Sequence, residues 1–149
     1  MMTKSKTAKR FFVDGAISAK FIANSIERHQ TNTNIGAYDI FLGQVRNDQI
    51  EGKEVTAIEF TAYKEMAEKE LERIKKEALK NFDLVCAHIH HSLGKVKAGE
   101  ICLYAIASAA HREAAFQACQ FIVEKIKSEV PVFGKEILAD KGHQWKINK

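Results

Sequence analysis

Two lysines toward the C-terminal end of this sequence carry its strongest hint of chemistry. Lys127 falls in the last turn of a helix that Pro131 must end, where exposed carbonyls favour a cation. Lys135 follows in a strand that the turn at Pro131 folds back toward that helix. Ammonium groups on converging elements can hold an anion or lower one another's pKa by repulsion. A run of lysines can equally be a plain solvated face, so the pattern alone leaves both readings open. His111-Arg112 opens the same helix directly after an apolar strand. An imidazole and a guanidinium beside free backbone N–H groups suit a phosphate, although they are also an ordinary helix start. Arg46 ends a strand before the turn residues Asn47-Asp48, a position open to a ligand or to solvent alone.

His88, His90 and His91 form an H-x-H-H cluster. In a strand His88 and His90 share a face and could hold a metal if a third ligand approached. No cysteine or carboxylate is read at ligand spacing nearby, so the expectation is partly exposed strand histidines and no metal. Cys86, Cys102 and Cys119 are widely spaced among apolar neighbours and read as small buried hydrophobes in a reducing compartment. The sequence has no phosphate-cradling P-loop, no GxGxxG after a strand, no CxxC and no GxSxG. No cofactor is implied.

The elements that must position these groups follow from hydrophobic periodicity. A short strand at residues 10–13 precedes a helix capped at Asp14 or Ser18, with Ile17, Phe21, Ile22 and Ile26 inward. Residues 36–46 have β-rich composition, and 55–63 alternate with period 2; across the polar stretch 47–54 the two are expected to pair as a hairpin. Ala67, Leu71, Ile74 and Ala78 then mark one helical stripe. Strands at 84–91 and 100–107 are joined by residues 94–99, and the second, apolar on both faces, is a central covered strand. A helix over 111–129 buries Ala115, Ala118, Cys119, Ile122 and Ile126, and two short strands, 132–138 and 144–147, close the order. Mixed elements with short strand connections favour an α+β fold over a doubly wound parallel sheet.

The chain has 149 residues, 46% hydrophobic and 28% charged, which fits one domain able to bury a real core. We expect residues 1–9 to be a disordered basic tail and 10–149 a single domain. The longest apolar or small run, residues 101–110, is too short to span a membrane, and the basic start leads into no signal-peptide core, so a cytoplasmic address is expected. A net charge of +4 is too mild to establish nucleic-acid binding but suits anionic small molecules or an acidic partner.

Five ordered segments carry a resemblance. They are G-A-x-x-x-F-x-G-x-V-R-N at residues 36–47, E-x-x-A-Y at 59–63, H-x-x-G-x-x-x-x-G-E at 91–100, A-H-R-x-A-A-F at 110–116, and K-x-x-x-P-x-F-x-K-E at 127–136, followed by Trp145. Over about residues 10–147 the chain resembles the family of catalytic large subunits of molybdopterin synthase. The resemblance implies an α/β-hammerhead type of fold with an extra small antiparallel subdomain. It implies transfer of two sulfurs, as a dithiolene, to cyclic pyranopterin monophosphate. The donor is the C-terminal Gly-Gly thiocarboxylate of a small ubiquitin-like subunit, and the assembly is a homodimer within a heterotetramer.

By the same resemblance Arg46, His111 and Arg112 bind phosphate and pterin, with Gln44, Val45, Phe41, Gly134 and Glu136 also at the substrate. Lys127 stands beside the thiocarboxylate carbon. The family pattern places a lysine where this chain has Gly134. Lys135 is one step later, which in a regular strand points it to the opposite face. We expect a bulge or twist at Gly134 to swing Lys135 into the site. Ser92, where the family commonly has arginine, is a second departure. Two other readings stay open on sequence: a non-catalytic basic module for an anion or nucleic acid, and a family member that binds the small subunit without turnover.

Overall fold

The computed structural model describes residues 11–140 and 142–146; the expected tail over 1–9 lies outside them. In chain order the elements are β1 (Phe12–Asp14), α1 (Ala19–His29), β2 (Ala37–Gln44), β3 (Gln49–Ile50), β4 (Lys53–Ala62), α2 (Lys64–Asn81), β5 (Cys86–Lys97), β6 (Ile101–Ala109), α3 (Arg112–Glu129), β7 (Val132–Leu138) and β8 (His143–Trp145). Ser18 is the cap of α1, its hydroxyl accepting from the Phe21 amide at 3.0 Å. The stripes expected for α2 and α3 are the buried ones, Ala67, Leu71, Ile74 and Ala78 on the first and Ala115, Ala118, Cys119, Ile122 and Ile126 on the second.

The sheet order is β2-β6-β5-β4-β7-β8, antiparallel along this path, with β1 added parallel to β5. The fold is α+β, as expected. One face of β2-β6-β5 packs on α2 and α3 through Phe41, Leu103, Ala105 and Ile89. The other is covered by α1, where Ile22, Tyr104 and Ile106 meet. Tyr104 is fully buried, and its hydroxyl is satisfied by Ser25 Oγ of α1 at 2.7 Å.

Two expectations about connections are corrected. Residues 36–46 and 55–63 form no hairpin with each other: β2 pairs with β6, and β4 pairs with β5 and β7. The polar stretch between them makes its own two-residue hairpin, β3 to β4. Its tip, Glu51 (φ 51°) and Gly52 (φ 78°), has the two positive φ values of a primed turn. Likewise residues 94–97 are strand and not connection, so the β5–β6 turn shrinks to residues 98–100. β5 therefore serves two sheet regions, residues 86–91 against β6 and 94–97 against β4, with Gly94 at φ 89° where the strand changes partner. The second region, completed by β7 and β8, is the antiparallel extension.

Candidate active site

At the end of α3, Ile126 and Val130 enter the core and leave Lys127 exposed on the last turn. Pro131 then turns the chain, its carbonyl accepting from Tyr63 N at 3.2 Å, and β7 runs back along β4. The register is continuous from Ala57↔Ile137 to Ala62↔Val132; the only shift lies at Val55/Ala57. No bulge forms at Gly134. Strand parity therefore holds, and Lys135 faces away from Gly134 and Glu136. It pairs with Glu59 at 3.6 Å and lies over the Trp145 ring at 5.9 Å. The expectation that Lys135 turns in to join Lys127 is thus not met in the single chain.

The Gly134 face is the one that leads toward His91, on which the Lys127 charge acts. Gly134 is opposite Phe60, whose ring meets His91 edge-on at 5.2 Å. A Cβ at Gly134 would come 2.9 Å from Ile58 Cγ2, so packing selects glycine here. The neighbouring Glu136, 5% exposed, accepts from Gln144 Nε2 at 3.3 Å and pairs with Lys146 at 3.8 Å. Lys146 also donates its backbone N–H to the Gly134 carbonyl at 2.8 Å, which seats it beside the missing side chain. Lys127 and Lys146 both act on the half-buried Cys102; burial pushes the thiol pKa up, and the two ammonium groups pull it down. Burial, reinforced by Lys127, takes His91 down to about 4, so it is a neutral imidazole near pH 7; its Nδ1–H is given to Ser92 O at 2.8 Å.

Two lysines, a neutral histidine and an apolar ring thus form a basic corner suited to an anion. Sequence reasoning missed Lys146, His91 and Phe60 as members. The pairing Lys135↔Trp145 puts Lys146 on the Gly134 face, a register that comes with the structure and that no sequence signal marked.

The other expected site residues divide. Arg46 follows β2 at the end where Gln44 pairs with Ile101, the Cys102 end of β6, and is solvent-exposed with an ion pair to Asp48 at 3.2 Å. Gln44 is exposed, Val45 is core at 2% exposure, and Phe41 packs against α3 in the core. His111 and Arg112 are exposed at the start of α3. Fifteen residues separate Arg112 from Lys127 on one helix, about 22 Å along its axis, so one chain does not bring them together. Of the histidine cluster, only His91 belongs to this corner. His88 and His90 face α1, with burial as the main cause holding both at about 4. Cys86 stands two residues before His88 on the same strand face, contrary to the expectation that no cysteine lies at ligand spacing.

Residues 16–129 match the family model described as MoaE protein. The chain belongs to the MoaE family. Among its relatives, the molybdopterin synthase catalytic subunit of Pyrococcus abyssi is 42% identical over 115 residues, 77% of this chain and 76% of that protein. The rice (Oryza sativa subsp. indica) protein of the same name is 36% identical over 121 residues, 81% of this chain and 62% of its own length. The crystal structure of molybdopterin synthase from Staphylococcus aureus superposes with a TM-score of 0.81 at 29% identity, covering 93% of this chain and 97% of that one. The MoaE match spans β2, β5, β6 and α3 with Lys127, and ends before β7, so Gly134, Lys135, Glu136 and Lys146 lie beyond it.

Proposed function

We propose that this MoaE family member is the catalytic subunit of a molybdopterin synthase, a sulfurtransferase converting cyclic pyranopterin monophosphate to the dithiolene of molybdopterin. The sulfur donor is the thiocarboxylated C-terminus of a small ubiquitin-like subunit. Each transfer breaks the tail's carbon–sulfur bond and makes one to the pterin in place of a pterin carbon–oxygen bond. The displaced oxygen leaves as water or stays on the phosphate as its ring opens, while the tail leaves as a carboxylate whose new oxygen comes from water. The observation that supports this reading is Lys127, in the last turn of α3, whose charge acts on His91 and Cys102 and which the resemblance matches to the family's lysine. An ammonium there stabilises negative charge as it develops on the acyl group and can move a proton. Lys146, held by Glu136, supplies the second positive charge that the pattern assigns to position 134. Lys135 is left out of the chemistry.

Arg46 stands at the same end of the sheet and would take the phosphate. His111 and Arg112, about 22 Å from Lys127, reach such a site only from a second protomer, which supports a homodimer flanked by two small subunits. No helix among the described residues is long and apolar enough to cross a membrane, and we place the assembly in the cytoplasm.

The test is reconstitution with thiocarboxylated small subunit and cyclic pyranopterin monophosphate, reading dithiolene product. Wild type is expected to turn over and Lys127→Ala to lose at least about 100-fold; near-normal product from Lys127→Ala overturns this reading. Gly134 favours one second reading, binding without turnover: a stable complex from which wild type yields no product.

A further inference from the structure

On the face of the sheet away from the basic corner, α1 brings a third histidine to the strand cluster. His29 Nδ1–H is donated to Ser25 O at 2.6 Å, which fixes the tautomer and leaves Nε2 with a free lone pair. His29 is only 8% exposed, and Nε2 has no hydrogen-bond partner. Cys86 and His88, two residues apart on β5, face it. One ligand atom each from His29, Cys86 and His88 lie within 4.8 Å of one another. Donor atoms around a tetrahedral zinc-class ion stand roughly 3.5 Å apart, so small side-chain rotations close the set. His90 is not part of it, since its ring stacks on Tyr104 and meets Phe21 edge-on.

We propose that His29, Cys86 and His88 form a three-ligand site for a zinc-class transition-metal ion, with its fourth position open to the cleft lined by Arg28 and Asn32. Two imidazoles and a thiolate are borderline-soft donors that select zinc, cobalt or copper over magnesium or calcium. The supporting groups are in place. The Ser25 carbonyl orients His29, and Ser108 Oγ, 2.9 Å from Cys86 Sγ, can donate to the thiolate once the ion displaces its proton to solvent. Arg28 and Lys75 also act on this region, so the thiolate's negative charge is needed to offset their repulsion of a cation. The cleft, about 290 Å³, leaves room for water or a small anion on the open position.

The test uses the tag-free full-length chain, stripped with chelator and titrated with Co²⁺ and then Zn²⁺. One equivalent of cobalt per chain is expected, with a sulfur-to-cobalt charge-transfer band that zinc abolishes. His29→Gln and Cys86→Ser should each weaken binding at least tenfold, Cys86→Ser should remove the band, and Ser108→Ala should weaken binding by about 10–100-fold. Cys102→Ser should leave uptake unchanged. Independently of any variant, one equivalent of Zn²⁺ should slow alkylation of Cys86 by iodoacetamide and not that of Cys102. Absence of stoichiometric cobalt uptake by wild type, uptake unaltered in His29→Gln and Cys86→Ser, or unprotected Cys86 in the presence of zinc overturns the proposal.

Discussion

Lys135 and Lys146 differ in what holds their charge. Lys135 has Glu59 and the Trp145 ring on the outer side of the extension, whereas Lys146 reaches over Gly134 to a nearly buried carboxylate. Lys146→Ala should therefore lower dithiolene formation by about 100-fold while Lys146→Arg keeps most of it. Lys135→Ala should stay within about twofold, as expected of a half-exposed ion pair away from the reacting atoms. Removing Lys146 also leaves Glu136 with Gln144 as its partner, at a cost of about 1–3 kcal/mol in urea unfolding. Lys146→Met combined with Glu136→Gln should recover part of that stability and none of the activity. Equal losses from Lys135→Ala and Lys146→Ala would show that the face assignment is wrong.

Among the elements, β7 is the one whose side chains are chosen by its neighbour. Ile58 on β4 occupies the space that a Cβ at position 134 would need. Gly134→Lys, the residue the family pattern would place there, should destabilise the fold by about 1–3 kcal/mol and fail to replace Lys146. Adding Ile58→Ala should allow the new lysine to enter, and Gly134→Lys/Ile58→Ala/Lys146→Ala should regain activity over Lys146→Ala alone. At the other end of the chain, Ser18→Ala should cost about 1 kcal/mol through the lost cap of α1. A denaturant midpoint unchanged by that substitution would mean the cap contributes nothing beyond the packing of Ile22 against Tyr104.

Over the whole molecule, histidine burial sets the acid limit of stability. His91, 8% exposed, is held near 4 against about 6.5 in the unfolded chain. A depressed histidine pKa means the unfolded state binds the proton first, so the contribution is complete above about pH 6.5 and is lost as pH falls toward 4. For His91 alone this amounts to on the order of 3 kcal/mol, and His88 and His90 act in the same direction. Urea midpoints should fall steeply between pH 6.5 and 4, and less steeply in His91→Phe; parallel profiles would remove His91 as a cause. The distance between the ends of α3 makes a second prediction. Lys127→Ala and Arg112→Ala are each expected to be inactive, yet equal mixtures refolded together should regain about a quarter of the wild-type sites, because each mixed dimer holds one intact site. No recovery on mixing would deny a shared site.

Periodicity alone determined the helices: the stripes of α2 and α3 needed only the 3.6-residue repeat, and Ser18 and Pro131 set their limits locally. The position of Lys127 in the last turn of α3 was legible for the same reason, since a helix end is a local feature. Strand partners were not, because pairing is decided by which apolar faces meet across long stretches of chain: β2 took the covered β6 and left β4 to the turn at Glu51-Gly52. Parity along β7 was readable from sequence, but whether Gly134 breaks it depended on Ile58 and Phe60 closing over the glycine. The joining of His29 to Cys86 and His88, and of Lys146 to Glu136, likewise came only with tertiary packing, which sets side-chain proximity without regard to distance along the chain.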